Sequence, residues 1–152
     1  MKIIFPFILV VLLLSACQQG HFYEVNKEIE GQRWDYDSQP AFDVTITDKG
    51  AKYDVYVNLR HTAYYPYSNL FFLLHEKGKG LKDTAYRHEF HLAELDGRWT
   101  GESAGNLYEQ SVLVKENFSF PDTGKYVFSV EQNMRENPLP GINDVGLKLI
   151  KK

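Results

Sequence analysis

The chain has 152 residues, a formal net charge of −3, 43% hydrophobic and 24% charged residues. That length supports one domain with a hydrophobic core of its own. The mildly acidic balance, with no run of five like charges, gives no electrostatic footprint for nucleic acid and no charged tail.

The first sixteen residues differ from the rest. Lys2 supplies a positive start, and Ile3 to Leu14 is apolar throughout. Twelve residues are too few for a bilayer span, which takes about 20, and suit a secretory apolar region instead. Leu14, Ser15, Ala16 and Cys17 follow in the pattern of a bacterial lipobox: small side chains admit a peptidase, and the thiol accepts a diacylglycerol. The pattern predicts a lipoprotein signal peptide over 1–16, a lipidated Cys17 with a short tether over 17–22, and a single domain over 23–152. Lipid then occupies the chain's only cysteine, so the exported domain has no disulfide and rests on its core. One acyl chain anchors marginally, whereas two or three hold firmly. Gln18 and Gln19 follow the cysteine, with no adjacent Asp and no acidic cluster. The expected location is the outer membrane, lipid-anchored and facing the periplasm.

Past residue 20 the dominant signal is alternation. Tyr23 to Gly31 tolerates a helix or an edge strand. Phe42, Val44 and Ile46 share one face, and Tyr53, Val55, Val57 and Leu59 share another. Asp48 to Gly50 lies between them as a turn, so the two runs read as a hairpin with one wet face. Leu70 to Leu74 is apolar on both faces and reads as a central strand. An extended pattern follows the glycines of EKGKG, then a turn at Asp96 to Trp99 and a strand over Leu107 to Val114. Pro121 to Gly124 forms a turn ahead of Tyr126, Phe128 and Val130, and Val145, Leu147 and Leu149 close the chain. Ten Tyr and ten Phe also favour strands. The fold class is all-β: an antiparallel β-sandwich of about seven or eight strands, with a jelly roll as one such arrangement.

Catalytic signals are weak. His88 and His91 sit three apart, which on a strand places them on opposite faces, and HExxH is absent. Gly101 to Gly105 has the spacing of a G-x-S-x-G elbow but no helix to follow it. No catalytic residue, metal site or cofactor is expected. Aromatic loops carry more weight. Tyr64, Tyr65 and Tyr67 surround Pro66 between two strands, and Trp34 and Trp99 lie near turns. Such rings either cap a sandwich core with one polar tip wet or stack on sugars, so a glycan-binding sandwich is the alternative reading.

Three longer strings, NLRHTAYYPYSNLFF, LDGRWTGESAGNLYE and FPDTGKYVFSVEQNMRENPLPGINDVGLKL, occur in order along the chain. Together with the lipobox they resemble the gliding motility-associated lipoprotein GldH family over almost the whole length. The ending KLIKK is less acidic than that resemblance leads one to expect. The resemblance implies a small outer-membrane lipoprotein associated with envelope motility machinery, and it carries no catalytic residues over. Within these strings, Asn58 and Asn69 are candidates to bond loop backbones. Arg60 and Arg135 are candidates to grip carboxylates such as Asp144 or Glu109, and Gly141 and Gly146 suit a tight turn and close strand packing. Enrichment of Tyr, Trp and Arg at interface hot spots makes Tyr64, Tyr65, Tyr67, Trp99 and Arg135 the expected interaction surface. The expected partners are the membrane, through the N-terminal lipid, and proteins of the envelope.

Overall fold

The computed structural model describes residues 21–152. The expected signal peptide 1–16, the expected lipidation site Cys17 and residues 18–20 of the expected tether lie outside the described residues. Eleven strands follow in order: β1 (His21–Glu28), β2 (Arg33–Trp34), β3 (Ala41–Ile46), β4 (Tyr53–Thr62), β5 (Asn69–Gly78), β6 (Thr84–His91), β7 (Glu102–Ala104), β8 (Leu107–Phe118), β9 (Gly124–Gln132), β10 (Leu139–Pro140) and β11 (Ile142–Lys151). A short 3₁₀ turn, Glu30–Gln32, separates β1 from β2. Tyr23 to Glu28 therefore belongs to an edge strand rather than a helix.

One sheet has the order β1-β11-β4-β8-β7 and the other β3-β9-β5-β6, with β2 and β10 forming a separate pair. Without the three short strands, eight long ones remain. Numbered one to eight along the chain, they run 1-8-3-6 in one sheet and 2-7-4-5 in the other, all antiparallel. This is the jelly-roll order. Only β5 and β6 of the eight are a hairpin of chain neighbours within one sheet; every other connection between them crosses from sheet to sheet.

The hairpin expected between β3 and β4 is the main correction. The turn chemistry at Asp48 is present, with Asp48 Oδ1 accepting the Gly50 N–H at 3.0 Å. Yet β3 pairs with β9, whereas β4 lies between β11 and β8 in the opposite sheet. The outward face of β4 is not wet either. Asp54 and Asn58 are buried: Asp54 accepts the Asn117 N–H and pairs with Lys152, and Asn58 is held between Glu24 and Ser111.

Alternation gives each sheet its inner face. From the first sheet come Tyr53, Val55, Val57 and Leu59 of β4 and Val145, Leu147 and Leu149 of β11. They meet Phe42, Val44, Leu70, Phe72, Tyr126 and Phe128 of the second. An aromatic cluster fills the end of this core away from Trp99, where Phe120 contacts Tyr126 at 4.6 Å, Phe118 at 4.9 Å and Tyr53 at 5.4 Å between ring centres. Leu70 to Leu74 is central in its sheet, as its composition requires, with Phe71 and Leu73 half-buried on the outer face.

A jelly roll collects its crossing loops at two ends. Segments 29–40, 63–68, 92–101 and 133–141 meet at one end. Segments 47–52, 79–83 and 119–123 meet at the other, beside the start of β1 and the end of β11.

A candidate interaction surface at the four-loop end

The four loops are tied to one another by backbone. Pairing of Leu139 with Trp34 joins the first loop to the last. Tyr36 donates its hydroxyl to Met134 O at 2.7 Å, and its N–H to Asn137 Oδ1 at 2.8 Å. Gly141 N–H donates to Gln32 O at 2.8 Å, and Thr62 N–H donates to Gly141 O at 2.9 Å. Ser68 O accepts both Leu92 N–H and Ala93 N–H, which binds the second loop to the third. Gly141 has φ +82°, and a Cβ there would lie 2.9 Å from the Tyr65 N and Cα, so the turn and the close approach both require glycine. Buried Gln132 closes the fourth loop, donating from Nε2 to Glu136 O and accepting the Met134 N–H.

Beneath the loops lies a ring cluster. His61, at the end of β4, is buried, with its ring 4.6 Å from Trp99 and 5.6 Å from both Tyr65 and Tyr108. Its Nδ1 is 3.0 Å from Thr62 O, so the neutral ring donates from Nδ1. Burial holds the His61 pKa below its ordinary value, with the Thr62 contact opposing this more weakly. The sequence carries five histidines, and nothing in it separates His61 from the other four.

The sequence-selected residues share this end but not one role. Tyr64 is 90% exposed at the loop tip. Tyr65 is only 2% exposed, donates to Asn69 O at 2.8 Å and supports the loop from within; burial pushes its pKa upward. Tyr67 is 37% exposed and donates to Glu136 Oε2 at 2.6 Å, a bond that raises its pKa. Trp99 is half-buried against His61, and Arg135 is exposed. Tyr65, Pro66, Tyr67, Leu95 and Trp99 line an open cleft of about 450 Å³. Tyr67 is also the wall of a second cleft, about 380 Å³, lined by Phe71, Arg87, Asn133, Met134 and Arg135. The Arg87 guanidinium caps the Phe71 ring at 3.9 Å. Tyr64 borders a third cleft with Tyr108 and Asn106.

Leu95 was missed. It is fully exposed at the tip of a tight turn in which Glu94 N–H donates to Arg98 O and Gly97 N–H to Glu94 O. The Asp-Gly turn signal is visible in the sequence, but nothing there tells an exposed Leu before the turn from a core one. The four segments together carry six carboxylates and three arginines, with no lysine.

The polar residues expected to pin loops are mostly sheet residues. Arg60 Nε donates to the buried Asp144 at 2.8 Å on the outer face of the first sheet, the grip expected of it. Asn58 instead bonds side chains of other strands: it donates to Glu24 of β1, across the intervening β11, at 3.1 Å, and accepts from the Ser111 hydroxyl of adjacent β8 at 2.6 Å. Asn69 likewise donates to Glu89 at 2.7 Å. Gly146 is packed directly under the Asn26 side chain, leaving no room for a Cβ. His88 stacks on Phe72 on the inner side of β6, while His91 is exposed. Ser103 lies on the edge strand β7, in a strand-to-strand rather than strand-to-helix setting.

Fold and surface define a class: a jelly-roll β-sandwich whose four crossing loops gather exposed aromatic, arginine and carboxylate side chains on a tightly bonded base. Comparison with known proteins narrows the class. The GldH lipoprotein family model matches residues 21–149, and the chain belongs to that family. It is 34% identical to a gliding motility lipoprotein GldH homolog of Christiangramia forsetii, covering 97% of this chain and 94% of that protein. It is 30% identical to gliding motility lipoprotein GldH of Flavobacterium johnsoniae, covering 95% and 94% respectively. No solved structure matches it.

Proposed function

We propose that this lipoprotein is a non-enzymatic component of the cell envelope whose four-loop end docks another envelope protein. The observation that carries the reading is the combination at that end of a fully exposed Leu95 and Tyr64 with Tyr67 and Arg135, set between clefts on a backbone-bonded base. Tyr and Arg dominate interface hot spots because they bury large area while retaining directional hydrogen bonds, and a rigid base limits the entropy lost on docking. The names of its relatives, gliding motility lipoproteins, support placing that partner in the gliding machinery. Lipid on Cys17, with Gln18 rather than Asp beside it, supports the periplasmic face of the outer membrane.

A glycan platform has less support. Trp99 is engaged by His61 and Tyr65 is buried, leaving Tyr36, Tyr64 and Tyr67 as the exposed tyrosine rings of the four loops. The test is capture from solubilised envelopes with wild type and with a Tyr64→Ala/Arg135→Ala variant. Both side chains are exposed, so the variant keeps its thermal midpoint. It is expected to lose a partner that the wild type retains. An unchanged set of captured proteins contradicts the docking surface.

A further inference from the structure

The two ends of the sandwich differ in charge. Segments 47–52, 79–83 and 119–123, with residues 151–152, carry six lysines, Lys49, Lys52, Lys79, Lys82, Lys151 and Lys152, against three carboxylates. The four-loop end has the opposite balance, six carboxylates to three arginines. This asymmetry is invisible in the net charge of −3. Two of the three acids at the lysine end are paired, Asp122 with Lys79 and Asp48 with Lys151 at 3.0 Å, and Lys152 pairs with Asp54 of β4 at 2.7 Å. Lys49, Lys52 and Lys82 are exposed and enter no ion pair among the described residues.

The start of β1 is at this same end. His21 pairs with Ile150, and the Phe22 ring is 5.0 Å from Tyr53 at the start of β4. Cys17 is four residues before His21, and four residues reach at most about 14 Å. An acylated Cys17 therefore keeps the lysine end within one or two Debye lengths of the headgroups, about 8 Å each at physiological salt, where Lys is attracted to anionic lipid.

We infer that the lysine end is a membrane-facing surface that seats on the anionic headgroups of the leaflet holding the acyl chains. The inference rests on lipidation at Cys17. It fixes the posture of the body. The ten-residue strands β4, β5 and β11 span about 33 Å, so the four-loop end stands roughly that far from the lipid surface, aimed into the compartment.

The test uses the full lipidated chain, with acylation verified by mass, in vesicles of phosphatidylcholine alone or of phosphatidylcholine with phosphatidylglycerol. Lysines are labelled with an amine reagent, and the rates are read site by site by mass spectrometry. Labelling of Lys49, Lys52 and Lys82 is expected to slow about five-fold on anionic vesicles, the worth of one lysine near an anionic surface, and to recover in high salt. Lys27 and Lys148, on the flank of the sandwich, are expected to label alike on both. Equal rates for Lys49, Lys52 and Lys82 on the two vesicles overturn the inference, as does matching protection of Lys27 and Lys148, which would mean a body lying on its side. An unmodified thiol at Cys17 is a different failure: it removes the anchor itself.

Discussion

At the scale of single residues, His61 and Gly141 decide whether the loop end has its shape. His61 is held neutral by burial, its pKa below 6.5, and His88 is shifted the same way, by burial first and then by Lys115. Above 6.5 folded and unfolded chains are alike. Below it the unfolded chain takes up protons that the folded one resists, so stability falls as pH drops. The urea midpoint is expected to be lower at pH 5 than at pH 7.5, and a His61→Gln/His88→Gln variant to lose most of that difference. The depressed carboxylates Asp48, Asp54, Asp96 and Asp122 titrate below 3.8 and lie outside this window. Gly141→Ala meets a different obstacle, a positive φ together with the Tyr65 backbone. It is expected to cost about 2 kcal/mol by denaturant titration, where a neutral result would contradict the described turn. Gly141 was legible in the sequence because positive φ selects glycine. His61 was not, since one histidine in a strand pattern looks like any other until long-range pairing places Trp99 and Tyr108 beside it.

At the scale of elements, the sandwich is closed along one side by an ion pair between sheets. Lys115 of β8 reaches Glu76 of β5 at 2.8 Å, with Glu76 buried and Lys115 also lying over the Phe118 ring at 4.5 Å. Removing one partner of a buried pair strands the other, which costs about 3–5 kcal/mol, whereas replacing both by apolar groups is near neutral. Lys115→Met is thus expected to destabilise by about 3 kcal/mol, and Lys115→Met/Glu76→Leu to regain most of it. Equal destabilisation in both variants would contradict the pairing. The strands themselves were readable from alternation: Tyr126, Phe128 and Val130 face the core, as do Val145, Leu147 and Leu149. Their partners were not. Asp48 to Gly50 has the chemistry of a turn whether the chain returns within its sheet or crosses to the other, and that choice is made by contacts distant in sequence, β3 with β9 and β4 with β11. Glu76 and Lys115 were unreadable for the same reason, being 39 residues apart with no local pattern to join them.

At the scale of the whole molecule, the jelly roll turns a one-dimensional chain into a body with two dissimilar ends. Tyr64, Tyr67, Trp99 and Arg135 come from three different crossing loops, and their shared location follows from topology rather than from spacing. The sequence marked them by residue type alone and missed Leu95 for want of that topology. The proposed docking end and the inferred membrane end are separated by the length of the strands, so changes at one should leave the other intact. Lys49→Glu/Lys52→Glu/Lys82→Glu is expected to weaken seating on anionic vesicles while leaving partner capture from solubilised envelopes unchanged; joint loss of both would show that the ends are not independent. The most direct test of the docking end is photo-crosslinking in living cells, with a photoreactive amino acid placed at Leu95, or at Leu113 on the exposed outer face of the first sheet. A discrete adduct with one envelope protein from Leu95, and none from Leu113, is the predicted result. An adduct from Leu113 with none from Leu95 would contradict the assignment of the four-loop end as the contact surface.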